Sequence, residues 1–165
     1  MSGDRASRVG IVVGSRSDIA AAEKAAAVLA ELGVASETRV ISAHRAPDLL
    51  AAWVASFDER GIGVVIAIAG LAAHLPGVVA SQTTVPVIGV PMPGGVSDGL
   101  DALLAIVQMP KGVPVATVGV GNGENAGLLA ASILAVSDLG LRDRITARRT
   151  AQAADIAADE ANRGL

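Results

Sequence analysis

The chain has 165 residues and a formal net charge of −3; 52% of its residues are hydrophobic and 18% are charged. This length suits a single domain, and so apolar a composition excludes an intrinsically disordered chain. Trp53 and Phe57 are the only aromatic residues and cysteine is absent, which excludes base-stacking nucleic-acid surfaces, disulfides and thiol catalysis.

The longest apolar segment, Val64–Ala73, contains Gly70 and ends at His74. It is shorter than the roughly 20 residues that a membrane-spanning helix needs, so we expect no association with a membrane. The first ten residues lack the apolar segment of a secretory leader, which makes the cytoplasm the expected location. With two histidines and no cysteine, we expect no metal site.

Five apolar segments rich in β-branched residues alternate with segments of helical pattern. Continuous apolar runs are typical of strands buried on both faces, and the alternation of strand and helix is typical of a parallel sheet. The sequence therefore predicts an α/β fold with a parallel sheet of about five strands. The predicted strands are Val9–Val13, Ala35–Ile41, Gly63–Ala69, Val85–Val90 and Val113–Val120.

The segments between these strands carry the start signals of helices. Ser17 or Asp18 can cap the first helix, and Pro47 suits the first turn of the second. The predicted helices run from Ser17 or Asp18 to about Leu32, from Pro47 to Arg60, over a short segment after Pro76, from Asp98 to Gln108, from Glu124 to Val136, and from Leu141 to Asn162.

Polar residues follow the first two predicted strands, at the edge of the sheet where ligands bind in open α/β folds. The segment Gly14–Asp18 opens a helix, and its N–H groups and hydroxyls can hold a phosphate; an ordinary capped helix start is the alternative. The segment Ser42–Pro47 includes His44, which can transfer a proton, and Arg45, which can bind a phosphate or carboxylate. A plain surface loop is the alternative there.

Three later loops are also rich in small or polar residues. Ala69–Gly77 places His74 among small residues that let a ligand approach the backbone, although a core or capping histidine is the alternative. Pro91–Asp98 and Gly119–Gly127 are typical of loops that wall a pocket or contact a neighbouring subunit. The alanine-rich face of Leu128–Val136 is expected to contact a neighbouring subunit as well. The amides that can hydrogen-bond a ligand in this region are Gln108 and Asn125.

Six segments resemble, in order and spacing, the phosphoribosylaminoimidazole carboxylase catalytic subunit family of purine biosynthesis. They are GSRSD, SAHRAP, AHLPG, VPVIGVP, IVQMPKGVPVATV and NAGLLAA, and the match spans about Arg8 to Leu139. The resemblance implies a flavodoxin-like three-layer αβα sandwich that assembles as a homo-octamer. We expect one domain over residues 1–165, with a core of about 8–139 and a C-terminal helical arm of about 141–163.

The resemblance also implies a reaction and a set of site residues. The bacterial branch of the family converts N5-carboxyaminoimidazole ribonucleotide to 4-carboxy-5-aminoimidazole ribonucleotide as a mutase, with neither metal nor organic cofactor. His44 matches its acid/base residue. The positions implied to bind the ribose phosphate are Ser15, Ser17, Asp18, Ser42 and Arg45, and those implied to form a second substrate loop are Ala69, Gly70, Ala72, Ala73, His74 and Leu75.

Two segments depart from the family pattern. Leu71 stands where the family commonly has a second glycine. The segment that begins with Pro91–Asp98 differs from the family, which tends to have a serine or threonine, a leucine and an Asp-Ser-Leu sequence in this region. Two alternatives therefore stay open beside the mutase. One is a direct carboxylase that takes carbon dioxide itself, and the other is a diverged paralogue that acts on, or merely binds, a related nucleotide.

Overall fold

A computed structural model describes residues 8–163 of the chain. Five parallel strands form one sheet in the order β2-β1-β3-β4-β5, which is the flavodoxin-like order. The strands are β1 (Arg8–Val13), β2 (Ser36–Val40), β3 (Ile62–Ala69), β4 (Val87–Pro91) and β5 (Ala116–Thr117). The helices are α1 (Ile19–Glu31), α2 (Pro47–Ala55), α3 (Phe57–Arg60), α4 (Leu75–Ala80), α5 (Leu100–Val107), α6 (Gly123–Leu134) and α7 (Leu139–Ala157).

Helices cover both faces of the sheet and give the three layers that the resemblance implied. Successive residues of β3 point to opposite sides, so Ile66 and Ile68 join the core beneath α1, α6 and α7. Val65 and Ala67 join the second core beneath α2, α3, α4 and α5. This double burial explains why the strands read as continuous apolar runs. The predicted α/β fold and parallel sheet are confirmed.

Three details differ from the expectations. Strand β5 pairs only through Ala116 and Thr117, because it is an edge strand bounded by Pro114 and a glycine-rich turn. The predicted helix over 47–60 breaks at Ser56, whose hydroxyl donates to the carbonyl of Trp53 at 2.7 Å and so competes with the helical hydrogen bonds. The alanines of α6, expected at a subunit contact, are buried in the chain's own core.

The final helix is shorter than the sequence predicts: it ends at Ala157 rather than at Asn162. Seven of the first ten residues, on which the expectation of no secretory leader rests, lie outside the described residues. Over residues 8–163, none of the helices has the length and apolarity required to cross a bilayer.

Helices α1 and α6 approach each other closely because two glycines face α1. A Cβ added at Gly127 would lie 2.7 Å from the carbonyl oxygen of Ala25 and would clash with Val28. A Cβ added at Gly123 would clash with the carbonyl oxygen of Ala21. The first turns of α1, which follow the loop after β1, are thereby packed directly against α6.

Helix α7 is anchored across this helix pair by charged side chains. Arg148 bonds Glu31 of α1 at 3.1 Å and Glu124 of α6 at 2.7 Å. Arg144 donates to the carbonyl of Leu32 at 2.8 Å. Beyond Thr150 every described residue of α7 is exposed, so only the first half of this helix belongs to the chain's own core.

A second polar cluster ties the edge strand β2 to the helices α2 and α3. The indole of Trp53 donates to Glu37 at 2.9 Å, and Arg60 bonds the other carboxylate oxygen at 2.9 Å. Burial alone would raise the pKa of Glu37, but the hydrogen bond from Trp53 and the charges of Arg60 and Arg39 outweigh it, and the pKa is lowered. The carboxylate thus stabilises the fold while it is ionised.

We expect Gly127→Ala to lower the free energy of unfolding by about 1–3 kcal/mol, since the new methyl group meets backbone that cannot yield. The control is Gly119→Ala, where the added Cβ meets only Asn122, at 3.9 Å; its effect should stay below about 1 kcal/mol. Urea unfolding of both variants measures the difference. Equal stabilities would contradict the close α1–α6 packing.

We expect the stability advantage of the wild type over Glu37→Gln to depend on pH. A carboxyl whose folded pKa is lowered contributes stability above its unfolded pKa, and loses that contribution as pH falls through the folded pKa. The difference in unfolding free energy should therefore be largest near neutral pH and shrink toward about pH 3. A difference that is constant over this range would show that the ionised carboxylate contributes nothing.

Candidate active site

The parallel register places the ends of four strands at one edge of the sheet. Val13 pairs with Val40 of β2 and with Ile68 of β3, and Ile68 in turn pairs with Val90 of β4. The loops that leave these four residues therefore emerge side by side. The main chain joins them further, since the N–H of Met92 donates to the carbonyl of Ala69 at 3.0 Å.

A cavity of about 770 Å³ opens between these loops. All twelve residues predicted from the sequence to bind or transform a substrate line it, namely Ser15, Ser17, Asp18, Ser42, His44, Arg45, Ala69, Gly70, Ala72, Ala73, His74 and Leu75. Its further lining residues are Gly14, Ala43, Leu71, Met92 and Pro93. Gln108 and Asn125, considered as ligand contacts from their amide groups, do not line this cavity.

The loop after β1 presents hydroxyls and backbone donors at the start of α1. Ser15 caps a 3-10 turn over Arg16–Asp18 by accepting a hydrogen bond from the N–H of Ser17. The hydroxyl of Ser17 donates to the carboxylate of Asp18 at 3.0 Å. The N–H groups at this helix start and the aligned peptide dipoles favour an anion.

The loop after β2 brings a guanidinium to the same place. The N–H of Ala46 donates to the carbonyl of Ser42 at 2.9 Å, and the N–H of Arg45 donates to the Ser42 hydroxyl at 3.3 Å, so the loop is a tight turn. The side chain of Arg45 reaches back over the end of β1 and donates to the carbonyl of Gly14 at 3.0 Å. This bond leaves further guanidinium N–H groups for an anion in the cavity.

The two histidines of the chain meet in this cavity. Nε2 of His44 lies 2.7 Å from Nδ1 of His74, and the two rings are nearly perpendicular, at 80°. One of these nitrogens carries the proton and the other offers its lone pair, so two imidazolium rings, which both only donate, cannot form this bond. The second nitrogen of each ring stays available for another partner. Such a pair is equipped to accept, hold and return one proton.

The loop after β3 contains two strained residues. The N–H of Ala73 donates to the carbonyl of Gly70 at 3.0 Å and closes a turn in which Leu71 has φ = 55°. Ala73 has φ = 46°. A left-handed conformation costs a non-glycine residue about 1–2 kcal/mol, and the turn directly precedes His74. The surrounding fold therefore imposes this geometry against the preference of both side chains.

The cavity thus combines two imidazoles, a guanidinium, three serine hydroxyls and one carboxylate with small apolar residues. Within residues 8–163, no group of three or more histidine, aspartate or glutamate side chains is arranged to hold a metal ion. Apart from His74, the polar side chains of the cavity lie on the β1 and β2 loops, and the other lining residues of the β3 and β4 loops are small or apolar. A ligand with an anionic end and a flat, less polar end matches this division.

Comparison with known proteins places these features in one family. A family model described as AIR carboxylase matches residues 8–155. The N5-carboxyaminoimidazole ribonucleotide mutase of Mycobacterium tuberculosis is 53% identical over 154 residues, which cover 93% of this chain and 88% of that protein. The mutase of Thermotoga maritima is 55% identical over 129 residues, which cover 78% of this chain and 75% of that protein.

Solved structures agree with the sequence relatives. The crystal structure of Treponema denticola PurE superimposes with a TM-score of 0.86 at 28% identity, covering 95% of this chain and 98% of that one. A substituted form of PurE2 from the same organism gives a TM-score of 0.89 at 27% identity, covering 98% of this chain and all of that one. With the family model matching nearly the whole described chain, this protein belongs to the AIR carboxylase family.

Proposed function

We propose that this chain is an N5-carboxyaminoimidazole ribonucleotide mutase, an enzyme that moves a carboxylate from the exocyclic nitrogen of its substrate to a ring carbon. The observation that carries the proposal is the 2.7 Å contact between His44 and His74. This contact lies in the same cavity as the loop after β1, whose N–H groups and hydroxyls suit a phosphate. Relatives that are about half identical over most of the chain bear this name, which supports the same assignment.

The substrate's ribose phosphate fits the polar side of the cavity. Arg45 supplies a charge-assisted contact, and the start of α1 supplies N–H groups and the hydroxyls of Ser15 and Ser17. Ser42 lies on the same side, and Asp18 is placed to accept hydrogen bonds from ribose hydroxyls. These interactions are present before and during the reaction, so they serve binding more than rate.

The heterocycle then lies toward the histidines and the small residues that follow β3. A carbamate releases carbon dioxide once its nitrogen takes a proton, and the electron-rich ring carbon beside it can capture that carbon dioxide. His44 gives the proton to the nitrogen and afterwards takes the proton that the ring carbon loses. The net reaction consumes no proton, so proximity and proton transfer are sufficient and the proposal requires neither a metal nor an organic cofactor.

Ala69, Gly70, Ala72 and Ala73 have small side chains that let the migrating carboxylate approach backbone donors. Leu75 lies beneath them as a buried support for the turn. His74 holds His44 by the contact already described, which fixes the orientation of the acid/base ring.

We further propose that the enzyme works as a homo-octamer in the cytoplasm. Leu100, Leu104 and Val107 lie on one face of α5 and are all exposed, as are Val136 and Leu139. Exposed apolar groups at helical spacing are typical of subunit contacts. The exposed second half of α7 is the proposed arm that contacts a neighbouring copy.

We expect His44→Asn to lower kcat by about 10²–10⁴-fold with little change in KM, since it removes proton transfer and keeps the shape of the side chain. Arg45→Ala should instead raise KM about tenfold or more, because its phosphate contact is made in the ground state. The measurement is conversion of purified N5-carboxyaminoimidazole ribonucleotide, with Arg39→Ala as the control for an arginine outside the cavity.

The same assay separates the alternatives. Turnover of the carbamate supports the mutase, whereas turnover of 5-aminoimidazole ribonucleotide only with bicarbonate would identify a direct carboxylase. Binding without turnover would identify a protein that merely binds the nucleotide. A His44→Asn variant with nearly full activity would remove His44 from the acid/base role.

For the assembly, we expect light scattering to give a mass near eight times the 16.3 kDa of the chain. A mass of one chain at micromolar concentration would refute the proposed oligomer. A variant that ends at Ala151 keeps the buried Leu141 and Ile145, and every residue of α7 that it removes is exposed. If this variant still forms the full octamer with an unchanged melting temperature, the arm has no role in assembly.

A further inference from the structure

Arg16 is an exposed cation at the rim of the cavity. It stands between Ser15 and Ser17, which both line the cavity, but Arg16 itself is not part of the lining. Consecutive Cα atoms are about 3.8 Å apart, so the guanidinium lies within about one side-chain length of the lining. Within residues 8–163, its guanidinium makes neither an ion pair nor a hydrogen bond. The fold therefore makes no use of this charge.

The charges of the other loops at this edge of the sheet show why the position matters. The segments between each of the five strands and the helix that follows it contain two arginines, Arg16 and Arg45, and two aspartates, Asp18 and Asp98. With neutral histidines these charges cancel, and the chain as a whole carries −3. Without Arg16, the loops around the cavity would have a net negative charge.

A net negative edge conflicts with the substrate that the cavity is proposed to bind. A phosphate monoester carries a charge of about −1.5 to −2 near pH 7, and the carboxylate adds a further negative charge. Arg45 is already bonded to the carbonyl of Gly14 in the cavity wall. Arg16 is thus the exposed cation that an anion from solution meets as it arrives at the loop after β1.

We propose that Arg16 recruits the substrate: its guanidinium attracts the anionic nucleotide to the mouth of the cavity and so promotes its capture, without contacting the reacting atoms. This inference rests on the proposed mutase function. A cation beside a cleft raises the local concentration of an anionic ligand and its rate of association. Arg16 would then act on kcat/KM and leave kcat unchanged, in contrast to His44.

The dependence on salt separates recruitment from a direct contact. Salt screens the attraction between exposed charges, which extends over about 30 Å at an ionic strength of 0.01 M and over about 3 Å at 1 M. A short hydrogen bond between Arg16 and a bound phosphate would persist at high salt far better than attraction over a distance. Recruitment therefore predicts an effect of Arg16 that is large at low ionic strength and nearly lost at high ionic strength.

Three variants change the charge in steps. Arg16→Gln removes it, Arg16→Glu reverses it, and Arg16→Lys keeps it but loses the planar guanidinium that a bidentate contact requires. The matched control is Arg149→Gln, which removes the same charge from an exposed arginine of α7, outside the cavity lining. This control separates the position of the charge from the net charge of the chain.

The experiment measures conversion of N5-carboxyaminoimidazole ribonucleotide at ionic strengths from 0.01 to 1 M. At 0.01 M we expect Arg16→Gln to lower kcat/KM about three- to tenfold, and Arg16→Glu to lower it further, with kcat unchanged in both. At 1 M both variants should lie within about twofold of the wild type. Arg16→Lys and Arg149→Gln should follow the wild type throughout. Calorimetry with ribose 5-phosphate at low salt should give affinities in the same order.

Two results would overturn the inference and leave the mutase intact. One is an equal kcat/KM of the wild type, Arg16→Gln and Arg16→Glu at 0.01 M. The other is a loss in Arg16→Gln that persists at 1 M and is shared by Arg16→Lys, since this pattern identifies a direct contact.

A wild-type chain that does not convert the carbamate would refute the proposed function instead. The calorimetry then decides on Arg16 by itself: equal affinities of the wild type, Arg16→Gln and Arg16→Glu for ribose 5-phosphate would overturn its role as well.

Discussion

The cavity depends on one constraint, the parallel pairing of β1 with β2 on one side and with β3 on the other. Parallel strands all end at the same edge of a sheet, so the loops that follow them must share that edge. His44 and His74 are far apart in the chain, yet their loops both reach over the end of β1 and bring the rings into contact. An antiparallel partner for β1 would send one of these loops to the opposite edge.

Most of the fold could be predicted from the sequence because its signals are local and agree with one another. Continuous apolar runs require burial on both faces, and this requirement leaves a parallel sheet between two helical layers as the consistent solution. The residues predicted for the site were found for a related reason. Polar side chains that directly follow an apolar strand are not needed for the core, so Ser15, His44 and Arg45 are recognisable in the sequence as candidates for binding or catalysis.

The differences arise where a tertiary contact decides between local options. Strand β5 pairs with β4 through only two residues, although its apolar sequence reads as a longer strand. The alanines of α6 read equally as a surface for another subunit or as a close contact within the chain, and the glycines facing α1 decide for the latter. The left-handed turn at Leu71 is hidden for the same reason, since leucine gives no sequence signal for a positive φ.

The single tryptophan gives the molecule an optical property. Trp53 is buried 3.0 Å from where a Cβ on Gly10 of β1 would lie, and it stacks edge-to-face on Phe57, with no tyrosine in the chain. Its indole is also bonded to Glu37, so its emission reports on a single corner of the protein. That corner lies on α2, directly after the loop that holds His44 and Arg45. Intrinsic fluorescence therefore provides a label-free signal from the helix that supports the cavity, with no second fluorophore to separate.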